Sequence, residues 1–194
     1  MKTEDLSDPE LITYSGEHLL YELQYFLVTA KELARHDKPS PMVSVLIESF
    51  GIHLRNLIDF FYTPRVKEDD VIASDFCPGW NETISSTLKA AKERANKELN
   101  HLTLQRKSEF DPSKPWDVVG LFSEVSGVAK AFAGRAPHTK LSPEVPKWLN
   151  SYHGNIMPVG GVAVLASNTT TSMTSFATTS VSWGGASLSG KSTP

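Results

Sequence analysis

Cysteine is almost missing from this 194-residue chain: Cys77 stands alone, which excludes an internal disulfide and any thiolate-rich zinc site built from one copy. Also missing is any run of 18 or more apolar residues, so no segment reads as membrane-spanning and no membrane partner is expected. The opening MKTEDLSDPE has no apolar run behind Lys2, which is not the pattern of a secretory signal, and the expected location is cytoplasmic. An excess of charge is lacking too. A net charge of -3 gives no overall basic field for nucleic acid and leaves only a local basic patch to look for. Neither GxSxG nor HExxH occurs, so two common hydrolase signatures are out, and nothing calls for a cofactor.

What is present is ordinary for a globular protein, with 40% hydrophobic and 21% charged residues and length for one domain with a sizeable core. Apolar residues recur at helical spacing. Ser15 is the expected cap of a first helix over 16–35, with Leu19, Leu23, Phe26, Leu27, Ala30 and Leu33 on its inner face. Before it, SDPEL suits a short turn capped by Ser7. Ser40 and Pro41 open a second helix that reaches Tyr62, where Thr63 and Pro64 end it. A third is expected from Asn81 or Ser85 to Lys107, a fourth from Lys114 to Gly134 capped by Ser113, and a short fifth over 143–152. Between the second and third, DDVIASDF fits one turn that tucks Phe76 inward. No strand alternation appears before Gly154.

These stripes must bury one another, which predicts an all-α fold: an antiparallel four- to five-helix up-and-down bundle over 16–153, behind an N-terminal arm over 1–15. Residues 154–194 are Ser, Thr and Gly-rich, and after Lys147 the sole Lys, Arg, Asp or Glu is Lys191. Such a composition cannot offset the entropy of ordering, so a disordered tail is expected.

The run RANKELNHLTLQR in the third helix is the candidate for chemistry. In a regular helix Arg94 and His101, seven residues apart, lie within about 20° of each other around the axis. A permanent cation beside an imidazole suits RNA: Arg94 holds a phosphate while His101 moves a proton. Asn96, Glu98 and Gln105 are the substrate-binding candidates around this pair. A second group, Glu48, Arg55 and Asp59 in the second helix, reads as a structural polar stripe with an i, i+4 pair between Arg55 and Asp59. Beside it, His53 reads as a hydrogen-bonded core histidine. No metal site is expected, because the one imaginable set, His53, Glu98 and His101, lacks the Glu-x-x-His pairs of di-iron bundles.

Arg94 followed by six residues and His101 resembles the Arg-x(4 to 6)-His pattern of the HEPN superfamily. The wider context LIESFGIHLRNLIDFFY, DDVIASDF, NKELNHLTLQR and KPW is similar to a group of uncharacterised bacterial bundle proteins associated with it. Ala95 stands where a polar residue commonly follows the Arg, with Asn96 one place later. The resemblance implies a helical bundle acting as a homodimer, a metal-independent endoribonuclease or RNA-binding component of toxin-antitoxin or phage-defence systems, with RNA and an antitoxin or other protein as partners. Two copies across a two-fold axis would bring together two His and two Arg. The other expectation is a non-catalytic helical protein-protein interaction module.

Overall fold

The computed structural model describes residues 6–36, 40–99 and 116–151, and among these every regular element is a helix. The chain is all-α. The expected tail, and the helical segment expected from residue 100 onward, lie outside the described residues.

The first helix starts earlier than Ser15. α1 (Asp8–Tyr14) runs through a π-helical turn (Ser15–Leu19) into α2 (Leu20–Leu33) without interruption. Its start is set by Ser7 and Glu10, whose carboxylate accepts from the Ser7 amide at 2.8 Å and the Ser7 hydroxyl at 2.6 Å. These bonds, the hydroxyl's foremost, hold the Glu10 carboxyl below its ordinary pKa. Ser15 is not a cap. It is fully buried, donates to the Ile12 carbonyl at 3.0 Å and accepts from the Ser142 amide at 2.9 Å, so it joins two distant parts of the chain.

α3 (Pro41–Tyr62) matches its expected bounds, because every signal that sets them is local. Ser40 Oγ accepts from the Val43 amide at 3.2 Å, Pro41 occupies the first turn where no amide partner is needed, and Thr63 turns to extended backbone ahead of Pro64. Its inner face, from Val43 through Ile47, Phe50, Leu54 and Ile58 to Phe61, is buried. After one turn, α4 (Ala73–Phe76), which seals Phe76 into the core, comes α5 (Ser86–Arg94), capped by Ser85 through the Leu88 amide at 3.0 Å. A second π turn (Ala95–Leu99) follows directly.

α6 (Val118–Arg135) begins four residues after the expected Lys114 start, and Asp117 caps it through the Gly120 amide at 2.9 Å. Ser113, the expected cap, lies outside the described residues. The later start follows from Trp116, which must sink against Phe50, ring centroids 6.4 Å apart, before the helix can begin. α7 (Glu144–Ser151) closes the described chain.

Pairwise contacts give the directions. Phe26 stacks on Phe50 while Tyr21 lies by His53, so α2 and α3 are antiparallel. Lys92 reaches Asp59 while Leu99 meets Gly51, so α3 and α5 are antiparallel as well. Arg135 pairs with Glu82 and covers the Trp80 ring, which brings the end of α6 back to the start of α5. The order is up and down, as the amphipathic stripes require. The centre is aromatic: Phe132 packs edge-on against Phe60, Phe61, Phe76 and Trp80, an arrangement that aligns ring edges with ring faces. The Trp80 indole donates to the Phe61 carbonyl at 2.8 Å, so this tryptophan plugs a bundle end with its polar atom satisfied. Among the described residues no helix is long and apolar enough to cross a membrane.

Candidate functional site

α5 delivers Arg94 to the end of its regular turns, and the guanidinium lies over the Trp116 ring, 4.4 Å from its centroid. Trp116 is buried, so the contact extends from the surface cation to the core beside Phe50. A cation on a largely desolvated indole is held more firmly than one in water, and stacking leaves its charge in place. Beyond Arg94 the backbone widens into the second π turn, whose Ala95 is fully buried. Leu99 fits where Gly51 of α3 has no side chain; a Cβ there would collide with Leu99 Cδ1.

This turn changes the expected geometry. A regular helix rotates about 100° per residue, but a π turn rotates roughly 80°, so five such residues set the phase back by about 100°. Within Ala95–Leu99 the side chains therefore follow a different phase from that of a regular helix. Arg94 and Asn96 are partly exposed. Glu98 is described only as backbone, and His101 and Gln105 lie outside the described residues.

The polar stripe of α3 is arranged differently from its sequence pattern. Asp59 pairs with Lys92 of α5 rather than with Arg55, and Thr63 links them, donating to Asp59 at 3.1 Å and accepting from Lys92 at 3.1 Å. Glu48 is exposed, and among the described residues neither it nor Arg55 has an ion-pair partner. The stripe thus contributes one inter-helix pin through Asp59.

His53 is buried and hydrogen-bonded, with a partner that no local pattern reveals. Its Nδ1–H donates to Glu22 Oε2 of α2 at 2.7 Å, Asn56 donates to Glu22 Oε1 at 3.2 Å, and the Tyr21 and Tyr25 rings cover the imidazole at 5.8 and 5.6 Å. Both carboxylate oxygens are satisfied. The nearby groove of about 690 Å³, between the first helix, the end of α3 and residues 63–72, includes Tyr14, His18, Arg55 and Asn56 in its walls. Burial foremost, then the charges of Glu22 and Asp70, pushes the Tyr14 phenol up, so it is a neutral donor at physiological pH. Among the described residues no three His, Cys, Asp or Glu side chains converge where a metal ion could sit.

Residues 185–192, GASLSGKS, spell the GxxxxGK[ST] pattern of a phosphate-cradling loop. That pattern identifies a nucleotide site between a strand and a helix, and these residues lie outside the described ones. No protein-family model matches the chain, and no curated protein or solved structure matches it significantly.

Proposed function

We propose that this chain is a HEPN-like RNA-binding protein that acts as a dimer and cleaves RNA without a metal, with α5 and the segment after it as the RNA-facing element. The observation that carries the reading is charge segregation. Over residues 86–107 there are six Lys or Arg and two Glu, in a chain whose net charge is -3. This is a local basic stretch of the kind that neutralises phosphates, and Arg94 is its anchored member, fixed on Trp116. Cleavage requires a proton-transfer group at the ribose 2′-hydroxyl or the leaving 5′-oxygen. His101 fills that role, with Arg94 on the phosphate.

A gel-shift and cleavage assay on single-stranded RNA in chelator tests this, comparing wild type with Arg94→Ala and His101→Ala. The expected result is weaker, less salt-dependent binding for Arg94→Ala, and retained binding with lost cleavage for His101→Ala. Equal cleavage by wild type and His101→Ala overturns the catalytic part; absence of RNA binding by wild type overturns the whole. A non-catalytic interaction module is the second reading, favoured by one observation: six large apolar side chains on α2 and α3 face solvent.

A further inference from the structure

Tyr21, Tyr25 and Val28 on α2, and Met42, Val45 and Ile52 on α3, are all large apolar side chains left 40–59% exposed. They form one face. The α2 residues step by four and three, and those on α3 by three and seven, so each set is a ridge. The ridges adjoin because Tyr21 and Tyr25 both touch His53, the neighbour of Ile52. On the outer flank of the α3 ridge lie Glu48 and Arg55, opposite charges seven residues apart with no ion-pair partner among the described residues.

We infer that this face is the contact between two copies of the chain, related by a two-fold axis that crosses α3 between Glu48 and Arg55. Such an axis runs α3 antiparallel to its counterpart and leaves lateral position unchanged. Glu48 of each copy then meets Arg55 of the other, twice, while the Tyr25 region of α2 packs on itself near the axis. The charge pattern fits its own image, which a face built for an unrelated partner need not do. The inference deepens the dimeric part of the proposed function, and it stands apart from RNA binding because its test reads only oligomeric state.

The test is sedimentation equilibrium of the full chain across the micromolar range, with circular dichroism to verify that each variant keeps its helix content. The wild type is expected to be a dimer, and Ile52→Asp and Tyr25→Asp to be folded monomers. Glu48→Arg alone and Arg55→Glu alone each place like charges together and weaken the dimer by about tenfold or more. The double variant Glu48→Arg/Arg55→Glu restores it. A wild type that stays monomeric, or a dimer indifferent to both Asp substitutions, overturns the assignment of this face. A double variant as weak as the singles overturns the two-fold pairing.

Discussion

The two π turns are the same backbone irregularity put to different uses. At Ser15–Leu19 the widened turn is sealed by polar contacts, Ser15 holding the Ser142 amide while Gly16 leaves room for the Ser142 side chain, whose hydroxyl would stand only 3.0 Å from a Cβ at that position. At Ala95–Leu99 the seal is apolar, Leu99 entering the gap that Gly51 leaves in α3. Each spends an extra residue to present the right side chain to a neighbour, so each exists because of a tertiary contact rather than a local preference. The first fastens the N-terminal helix to the segment before α7. The second sits inside the basic stretch and follows Arg94 directly.

The largest way to break this comparison is to fill the apolar notch. Gly51→Val forces a branched side chain into the space of Leu99, and overpacking of this kind is expected to cost about 2–3 kcal/mol in a denaturant titration. Leu99→Ala should relieve it. If the double variant is more stable than Gly51→Val alone, the notch and the turn are coupled; strictly additive losses would mean that Leu99 does not hold the turn there.

How much could be read beforehand divides along the same line. α3 was legible to the residue because Ser40, Pro41, Thr63 and Pro64 act on their immediate neighbours. The turn at α4 and the burial of Phe76 were legible from composition and spacing. Ser15 misled because a serine before an amphipathic stripe looks like a cap, and its actual partner is 127 residues away. The start of α6 misled for a related reason: Ser113 and Asp117 are both competent caps, and the burial of Trp116 chooses between them. At the candidate site the residue types were legible and the π turn after Arg94 was not, since the expected third helix assumed an unbroken 3.6-residue repeat; His101 lies outside the described residues. Glu22 carries no signal of its role, because its partners His53 and Asn56 lie 31 and 34 residues away.

Breaking the polar seal should cost less than filling the notch. Ser15→Ala leaves the buried Ser142 amide without an acceptor and is expected to lose about 1–2 kcal/mol. Hydrogen exchange localises the effect: the Ser142 amide should lose protection more than amides of α3. Uniform loss across the bundle would show that the bond does not specifically fasten the two ends.

Smaller again is the Arg94 stack. Arg94→Ala should cost about 0.5–1 kcal/mol, while Arg94→Lys keeps the charge and loses the planar overlap on Trp116. Indole fluorescence follows Trp116 through both variants. If RNA affinity tracks charge alone, Lys will bind as Arg does; if it needs the anchored geometry, Lys will fall towards Ala.

The smallest effect separates the two turns by pH. Tyr14 immediately precedes the first π turn, and burial, aided by Glu22 and Asp70, raises its phenolic pKa above the ordinary value of 10.0. Tyr62 at the end of α3 is pushed up further, to about 12, again mainly by burial, with Glu124 and Glu82 adding to it. Above pH 10 the unfolded chain releases both protons while the folded chain retains them. The unfolded state then binds fewer protons, so stability falls as pH rises through this window and is unaffected below it. Tyr14→Phe removes one contribution and should flatten, without abolishing, the decline in melting temperature between pH 9 and pH 11, Tyr62 supplying the remainder. The Arg94→Ala variant should keep the full wild-type slope, since Arg94 is not among the causes that raise either phenol. A Tyr14→Phe protein with the wild-type slope would mean that the Tyr14 phenol ionises alike in both states and that the polar seal gives the first turn no alkaline sensitivity.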